Sequence, residues 1–533
     1  YQNRPRIFDR HIRLPELLYS EVIEVDERIG ARGEVLRALD AAALAVAERD
    51  LRAAHARGYR SLAVVLMHGY RFPAHEQQLA ALARRIGFGQ VSVSHEVSPL
   101  MKLVSRGDTT VVDAYLSPIL RRYIDRVAAE LQGVRLMFMQ SSGGLTDARR
   151  FQGKDSILSG PAGGIVGAVR TSLAAGFDRI IGFDMGGTST DVSHFAGSSL
   201  SDLEREFDTQ VAGVRMRAPM MSIHTVAAGG GSILHFDGSR YRVGPDSAGA
   251  NPGPASYRRG GPLTVTDANV MLGKVQAQFF PEVFGPQGDQ PLDVAVVRAR
   301  FAELAAQIRA ATGDQRTPEQ VAEGFISIAV GNMAEAIKRI SVQRGHDVTE
   351  YTLCCFGGAG GQHACLVADA LGMTRVFIHP LAGVLSAYGM GLADMTAMRE
   401  QAVELRLEEA ALPALQQALQ RLSEDAGSEL RKQGVPAARI RIVPRVHLRY
   451  EGTDSALVVA HAALPEMVMQ FEAAYRRRYS FLMPQRALIV EAVSVEAIGA
   501  SEVELPQADA LSTRDAAAQA AMQTLPQAAG TVS

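Results

Sequence analysis

The stretch with the strongest chemical signature runs from Ile180 to Ser193 and reads IIGFDMGGTSTDVS. An apolar strand ends at Asp184, two glycines then permit a tight turn, and Asp191 follows. Phosphate groups are bound by unobstructed backbone N–H groups and hydroxyls, and carboxylates hold Mg²⁺ directly or through water. We therefore predict that Asp184 and Asp191 are the catalytic residues and that Asp184 is also a metal ligand.

The turn between the two aspartates is predicted to contact phosphate. Glycine leaves the backbone N–H groups open, and hydroxyl side chains add further donors. The predicted nucleotide-binding residues here are Gly186, Gly187, Thr188, Ser189 and Thr190. The alternative is an ordinary strand–turn–strand hairpin in which the aspartates bond the backbone, since Gly-Gly turns are common. The density of donors and carboxylates favours the phosphate-binding interpretation.

Two further glycine clusters also follow apolar strands. One is FGGAGGQHA (356–364), which leads into a helix near Gln362, and the other is AAGGGSI (227–233). Such turns let the backbone approach a nucleotide closely and can aim a helix N-terminus at it, although the second also fits a flexible loop. The GGxGG spacing does not match a dinucleotide fingerprint. The predicted nucleotide contacts in these clusters are Gly229, Gly230, Gly231, Gly357, Gly358, Gly360 and Gly361.

Other polar residues beside these loops are weaker candidates. His224 and His363 suit the orientation of a ligand, but structural histidines are the more common case. The segment 141–144 (SSGG) follows a strand and fits a ligand-contacting turn or a plain turn equally well. No His/Cys/Asp set has the sequence spacing of a zinc site. The cysteines are expected to be small core residues: Cys354, Cys355 and Cys365.

The elements that carry these turns alternate between strands and helices, which indicates an α/β fold. A helix is predicted from Thr317, with Pro318 at its first position and Gln320 completing a capping box, to about residue 343. The other predicted helices are 40–56, 113–131, 408–433 and 465–477, and the predicted strands include 61–68, 135–140, 440–443, 447–450, 456–459 and 488–498. Residues 399–505 are predicted to form a small α+β domain.

Composition limits the class of protein. The 533 residues are 47% hydrophobic and 21% charged, so a large core is expected. The formal net charge of −2 gives no reason to expect a nucleic-acid or membrane partner, and no apolar run approaches the length of a membrane span. Three cysteines without a disulfide pattern favour a reducing cytoplasm. The Ala/Gln/Ser/Thr-rich stretch 506–533 is expected to be a linker or a disordered tail.

The sequence resembles the hydantoinase A/5-oxoprolinase family over nearly its whole length. The motifs that carry the resemblance are SHEVSPLMKLVSRGDTTVVDAYLSPIL (94–120), MQSSGGLTDARRF (139–151), SGPAGGIVGAV (159–169), FDMGGTSTDVS (183–193), IHTVAAGGGSI (223–233), VGPDSAGANPGPASY (243–257), TVTDANVMLG (264–273) and FGGAGGQHA (356–364). RPRIFDRHIRLPELLYSEVIEVDER (4–28) and HLRYEGTDSAL (447–457) look most like the N-terminal, ATP-binding part of the 5-oxoprolinase branch.

The resemblance implies a two-lobed ATPase fold of the actin, sugar-kinase and Hsp70 type, with ATP and Mg²⁺ as cofactors and K⁺ as a further candidate ion. It divides the chain into the remainder of an N-terminal domain (1–95), an ATPase domain (96–398), the α+β domain (399–505) and the tail (506–533). Family chains carry another Asp/Gly-Gly-Thr phosphate loop ahead of the region that Tyr1 matches. The N-terminal part of the fold is therefore expected to be missing, and the chain alone is expected to bind ATP weakly.

The implied reaction is ATP-dependent ring opening of a lactam, with 5-oxo-L-proline converted to L-glutamate, ADP and phosphate. This chain is expected to phosphorylate the carbonyl oxygen, and a B-type subunit or fused domain to complete the hydrolysis within an oligomer. The alternatives are the A-type subunit of a hydantoinase or of an acetone- or acetophenone-type carboxylase, a sugar kinase, and a non-catalytic actin-like assembly protein.

Overall fold

The computed structural model describes residues 10–11, 16–211 and 213–501, so the predicted tail at 506–533 lies outside the described residues. The chain folds into two compact units. Unit 1 contains the described residues of 1–162, 205–221 and 394–500, and unit 2 those of 163–204, 222–393 and 501. These boundaries differ from the predicted segments, because 96–162 belongs to the same unit as 399–500. No helix among the described residues is long and apolar enough to cross a membrane.

The predicted helices are present, and only one differs greatly from its predicted bounds. The helix predicted at 113–131 begins ten residues earlier, and in its additional turns Thr109 and Thr110 donate their hydroxyls to the carbonyls of Ser105 and Arg106. The described helices are α1 (Ala41–Ala56), α2 (Ala74–Ile86), α3 (Ser94–Val97), α4 (Leu103–Glu130), α5 (Ser159–Ala174), α6 (Val265–Met271), α7 (Val294–Thr312), α8 (Pro318–Ile340), α9 (Ala364–Leu371), α10 (Leu385–Leu392), α11 (Leu412–Lys432) and α12 (Leu464–Tyr479).

The strands are short in the first two thirds of the chain and long in the last third. In the described residues they are β1 (Arg28–Ile29), β2 (Val35–Arg37), β3 (Ser61–Val64), β4 (Gln90–Val93), β5 (Met137–Met139), β6 (Leu145–Asp147), β7 (Arg179–Met185), β8 (Thr190–Ala196), β9 (Arg205–Glu206), β10 (Thr209–Val211), β11 (Val214–Met216), β12 (Met220–Met221), β13 (Ile223–Val226), β14 (Ser232–Phe236), β15 (Tyr241–Ser247), β16 (Thr352–Phe356), β17 (Val376–Phe377), β18 (Met395–Arg406), β19 (Ile440–Tyr450), β20 (Leu457–Ala460) and β21 (Leu488–Gly499).

Unit 1 is built on a six-stranded sheet with the strand order β20-β19-β21-β18-β6-β5. β21 pairs antiparallel with both β18 and β19, whereas β6 pairs with β18 in parallel. The helical spacing of Leu415, Leu419 and Leu422 places them on one face of α11, which packs with Val490 and Val493 of β21 in a common core. A separate parallel pair, β3–β4, packs with α1 and α2.

β19 is one continuous strand where the sequence predicts two. Pro444 lies in its middle, opposite Val495 of β21. Proline has no N–H to donate to a sheet, which is why the sequence pattern predicts a break there. The strand continues because its remaining residues pair with β21 from Ile440 to Tyr450.

Unit 2 is built on a five-stranded sheet with the order β13-β8-β7-β16-β17. β8 is antiparallel to both β7 and β13, whereas β16 runs parallel to both β7 and β17. Ile181, Phe183 and Met185 on one face of β7 are fully buried and share a core with Phe325 and Ile337 of α8. This core fixes the end of β7, from which the predicted phosphate-binding turn extends.

The capping box at the start of α8 is confirmed and gives a first testable prediction. The N–H of Gln320 donates to Thr317 Oγ1 at 3.2 Å, and the N–H of Thr317 donates to Gln320 Oε1 at 3.0 Å. We expect Thr317→Ala to lower the free energy of unfolding by about 1 kcal/mol in urea denaturation of the full chain. Ser327→Ala on the same helix is the control, with an expected change of less than about 0.5 kcal/mol. Equal losses for the two variants would contradict the capping role.

Candidate phosphate- and cation-binding site

The two predicted catalytic aspartates lie opposite each other at the turn end of the β7–β8 hairpin. Asp184 pairs with Asp191 and Met185 with Thr190, and the N–H of Gly186 donates to the carbonyl of Ser189 at 3.0 Å. The ordinary hairpin considered as the alternative is therefore present. It does not exclude a phosphate-binding role, because the same hairpin presents both carboxylates beside an exposed turn.

The carboxylates of this pair lie in an environment that disfavours their negative charge. Burial, followed by the nearby charge of Asp191, raises the pKa of Asp184 to about 6. Burial also raises the pKa of Asp191, although Thr225 Oγ1 opposes this by donating a hydrogen bond to Asp191 Oδ1 at 2.5 Å. The two carboxylates are half-buried and lie side by side, and no basic group contributes to either pKa shift. Such a pair is suited to binding a cation.

The glycine loop 227–231 packs directly on the hairpin turn. The N–H of Gly230 donates to the carbonyl of Gly186 at 3.1 Å, and the N–H of Gly231 donates to that of Gly187 at 2.5 Å. A Cβ atom at position 229 would lie 2.6 Å from the backbone nitrogen of Ser189. Gly229 and Gly231 thus allow the backbone of the loop to contact the backbone of the hairpin turn, and this contact stabilises the conformation of the turn.

The second glycine cluster encloses the Asp184 carboxylate. Gly357, at the end of β16, has a φ of +84°, and a Cβ there would collide with Asp184 Oδ1 and lie 2.5 Å from the carbonyl oxygen of Met185. On the other side, a Cβ on Gly164 of α5 would lie 3.4 Å from Asp184 Oδ2. The N–H of Ala359 donates to the Met185 carbonyl at 3.0 Å. The cluster therefore lies beside the predicted catalytic residue, in the same unit of the chain.

Three of the predicted glycines face open space. A Cβ atom added to Gly187, Gly358 or Gly361 would meet no other atom within 4 Å, and all three residues are exposed. In contrast, Gly360 is buried, and a Cβ there would lie 2.8 Å from Cys355 Sγ. The predicted set thus separates into glycines that support the loops and glycines whose backbone is accessible to a ligand.

These two kinds of glycine give a second testable prediction. We expect Gly229→Ala to displace the hairpin turn and lower the free energy of unfolding by about 1–3 kcal/mol, because the new methyl group overlaps backbone atoms that cannot move independently. Gly187→Ala is the matched control and should change stability by less than about 0.5 kcal/mol. Circular dichroism melting of both variants provides the comparison. A Gly229→Ala variant as stable as Gly187→Ala would contradict the observed packing.

Two residues near the aspartates were outside the predicted set. Gly164 lies in the motif SGPAGGIVGAV, and its glycine-rich helix start is the signal that marks it. Thr225 is opposite Asp191 on β13, and only the strand register reveals it. The hydroxyl of Thr190, which belongs to the predicted set, donates to the Ala228 carbonyl at 2.6 Å and is thus used within the protein.

The weaker candidates occupy other positions in the structure. His224 pairs with Val192, so its side chain is on the opposite face of the sheet from Asp191. His363 is buried beside Asn269, and burial lowers its pKa to about 4, which keeps the ring neutral. Residues 141–144 form the β5–β6 turn of unit 1. They are therefore not in the unit that carries the aspartates.

The prediction that all three cysteines are core residues is correct for two of them. Cys354 and Cys355 lie on β16 and are buried. Cys365 is exposed on α9, so the prediction is wrong for that residue. The cause is its helical position, because the buried residues of α9 are Ala364, Val367, Ala368 and Leu371 on the other side of the helix.

The chain is similar to known proteins along nearly its whole length. The family model for hydantoinase/oxoprolinase matches residues 106–399, and the model for the hydantoinase/oxoprolinase N-terminal region matches residues 1–87. The chain is 40% identical to 5-oxoprolinase 1 of Arabidopsis thaliana over 95% of this chain and 42% of the relative. It therefore spans less than half the length of that relative.

Two solved structures share the fold. The ATP-dependent caprolactamase of Pseudomonas jessenii has a TM-score of 0.77 at 30% identity, over 90% of this chain and 70% of that chain. A nucleotide-free acetone carboxylase has a TM-score of 0.65 at 23% identity, over 90% of this chain and 69% of that chain, and this similarity concerns the fold alone. With two family models matched and a relative that shares this identity over nearly the whole chain, the protein belongs to the hydantoinase/oxoprolinase family.

Proposed function

We propose that this chain binds ATP at the β7–β8 hairpin and transfers its γ-phosphoryl group to the carbonyl oxygen of a lactam, with 5-oxo-L-proline as the substrate. The observation that carries the proposal is the Asp184–Asp191 pair beside an exposed, glycine-rich turn. The sequence identity of 40% to 5-oxoprolinase 1 and of 30% to an ATP-dependent caprolactamase supports the assignment of this chain to an ATP-dependent hydrolase of cyclic amides.

Unit 2 is proposed to be one lobe of a two-lobed ATPase of the actin type. Three antiparallel strands followed by two parallel ones place the β7–β8 turn and the glycines after β16 at the same end of one sheet. Such convergence of strand ends is the usual location of ligand sites in α/β sheets. Gly187 and Thr188 are then proposed to contact phosphate, and Gly358 and Gly361 to contact the rest of the nucleotide.

Mg²⁺ fits the donor set of this site. Asp184 and Asp191 offer carboxylate oxygens, and hard oxygen donors are what Mg²⁺ binds. A bound cation offsets the burial and repulsion that raise the pKa of Asp184. Asp184 and Asp191, the latter oriented by Thr225, would hold the cation, which would supply charge neutralisation for the phosphates.

The proposed chemistry explains why a lactam hydrolase uses ATP. Amide resonance stabilises the lactam, and its oxygen is a poor leaving group. Phosphorylation breaks the bond between the γ-phosphorus and the β–γ bridging oxygen and forms a new P–O bond to the carbonyl oxygen. Water then adds to the carbonyl carbon, and the C–N bond breaks with protonation of the nitrogen, which leaves an acyl phosphate. A second water attacks the acyl carbon, and the bond from that carbon to the phosphate oxygen breaks, which releases phosphate and leaves the carboxylate. Positioning and charge neutralisation are the main requirements of the first step.

A B-type subunit or domain is proposed to carry out the later hydrolytic steps. The chain spans 42% of the length of 5-oxoprolinase 1 and 70% of the solved caprolactamase chain, so relatives differ in how much protein accompanies this region. We therefore assign to this chain only the ATP-dependent phosphorylation step, and not the activity of the whole assembly.

The test of this proposal is ADP release by the full-length gene product together with its B-type partner and Mg²⁺. Separate reactions contain 5-oxo-L-proline, hydantoin, or acetone with bicarbonate. ADP formed only with 5-oxo-L-proline and matched by L-glutamate supports the assignment. Turnover with hydantoin or acetone alone would contradict the substrate, and nucleotide-dependent light scattering without turnover would instead favour an assembly protein.

A further inference from the structure

A second cluster of potential ligands lies in unit 2, away from the aspartate pair. It contains His194 on β8, Glu204 in the segment after β8 and His346 after α8. His194 is roughly 10 Å beyond Asp191 along the strand, and the two side chains are on opposite faces of the sheet. The cluster therefore takes no part in the nucleotide chemistry proposed above.

The three side chains already converge. One ligand atom from each lies within 4.8 Å of the others. His194 Nδ1 is 2.8 Å from Glu204 Oε1, and the rings of His194 and His346 stack with their centroids 4.1 Å apart.

Neighbouring residues hold the side chains of the cluster in place by hydrogen bonds, as happens for metal ligands in proteins. Tyr351, which is 4% exposed, has its hydroxyl 2.9 Å from His194 Nε2. This contact leaves Nδ1 as the ligand atom while Nε2–H donates to the phenol oxygen. Arg344 donates to Glu204 Oε2 at 3.0 Å, which leaves Oε1 as a single ligand atom. Hydrogen bonds of both kinds are typical of the residues behind metal ligands.

The cluster also lies where two separated parts of the chain meet. The backbone leaves unit 2 after Glu204 and returns at Ser222; the residues between them, 205–221, form an excursion, and Glu204 and Ser222 form its neck. The N–H of Ser222 donates to the carbonyl of Glu204 at 3.1 Å, and Arg344 donates to both Glu204 Oε2 and Ser222 Oγ, the latter at 2.9 Å. An ion held by His194, Glu204 and His346 would join β8, this neck and the end of α8.

We propose that His194, Glu204 and His346 form a binding site for a divalent transition-metal ion of the Zn²⁺ class that fastens the neck of the 205–221 excursion. Two imidazoles and one carboxylate are a donor set that zinc accepts, whereas Mg²⁺ and Ca²⁺ prefer oxygen donors alone. Tetrahedral zinc sets its ligand atoms roughly 3.3 Å apart, and the ligand atoms here lie within 4.8 Å of one another, so side-chain adjustments would bring them to one ion. The ion replaces the proton between His194 Nδ1 and Glu204 Oε1.

The sequence spacing could not reveal this site. Its ligands are separated by ten residues and then by more than a hundred, so none of the local patterns of zinc motifs applies. Only the pairing of β8 in the sheet and the return of the chain after α8 bring them together. The competing explanation is a hydrogen-bonded cluster that binds no metal.

The test is equilibrium binding of Zn²⁺, and of Co²⁺ as a visible-absorbing probe, to the metal-free full-length chain. We expect one saturable ion per chain, a rise in melting temperature on binding, and a Co²⁺ spectrum of tetrahedral intensity. His346→Ala and Glu204→Gln should weaken binding by about a hundredfold or more, and Tyr351→Phe by about tenfold. His461→Ala, in unit 1, is the control and should bind as the native chain does.

The folding of each variant is checked by its circular dichroism and its melting temperature without metal. Saturable binding that persists in a folded His346→Ala or Glu204→Gln variant would overturn the proposal. Failure of the native chain to bind Zn²⁺ at micromolar concentrations, or an ion that leaves the melting temperature unchanged, would overturn it as well. None of these outcomes depends on lactam turnover, so the result is independent of the proposed function.

Discussion

Replacing Asp184 with asparagine is expected to abolish ATP-dependent turnover and at the same time to stabilise the nucleotide-free protein. The amide keeps the size of the side chain but removes the charge that holds the cation, so we expect turnover to fall by about 10²–10³-fold. The carboxylate is half-buried beside Asp191, and its pKa is raised to about 6. The folded state therefore carries an unfavourable charge above that pH.

The pH dependence of this stabilisation follows from the direction of the shift. The folded protein holds the Asp184 proton to a higher pH than the unfolded chain, so ionisation costs stability above about pH 6 and the cost disappears as the pH falls towards 4. Discounted for partial exposure, we expect Asp184→Asn to raise the free energy of unfolding by about 1–2 kcal/mol at pH 7.5 and by almost nothing at pH 4.

Asp178→Asn is the matched control for this experiment. Asp178 is exposed just before β7, so the substitution makes the same change of charge outside the site. It should leave turnover and stability nearly unchanged. Urea denaturation at the two pH values, with ADP release measured in parallel, provides the comparison. An Asp184→Asn variant that keeps full turnover would remove Asp184 from the site, and one that is destabilised at pH 7.5 would contradict the electrostatic argument.

Glu496→Ala in unit 1 is expected to produce the largest loss of stability. Glu496 is 1% exposed and lies between two guanidinium groups, Arg205 at 2.7 Å and Arg445 at 3.0 Å. Removing the carboxylate leaves two buried cations without their shared partner. Breaking a buried ion pair from one side typically costs about 3–5 kcal/mol, because the remaining charge stays desolvated.

Glu451→Ala tests whether burial is the cause of that loss. Glu451 pairs with Arg406 at 3.1 Å, but both side chains are more than half exposed, so the expected change is less than about 1 kcal/mol. Chemical denaturation of the two variants and the native chain provides the comparison. Losses of similar size at the two positions would contradict the claim that desolvation makes the Glu496 pairs important.

The sequence was most informative where short-range rules decide the structure. The capping box at Thr317 and the glycines at the ends of β7 and β16 all depend on local backbone requirements, so their positions could be predicted. From sequence alone, an ordinary hairpin and a phosphate-binding turn are alternatives. The structure has the hairpin, and the functional interpretation now depends on the two aspartates at its end.

The sequence was least informative where residues distant in the chain meet. The register that places Thr225 on Asp191 and the excursion at 205–221 that brings Arg205 to Glu496 have no local signature. The same applies to His194, Glu204 and His346. The break predicted near Pro444 is wrong for a different reason. Proline usually interrupts strands, but here it lies within β19, whose other residues supply the pairing with β21.

The most direct test of the proposed chemistry follows the carbonyl oxygen of the lactam. 5-Oxo-L-proline labelled with a heavy oxygen isotope at its ring carbonyl is incubated with ATP, Mg²⁺, this chain and its B-type partner, and the products are analysed by mass spectrometry. If the carbonyl oxygen is phosphorylated and then leaves as phosphate, the label appears in inorganic phosphate in proportion to the glutamate formed. Label retained entirely in glutamate, with none in phosphate, would contradict the account.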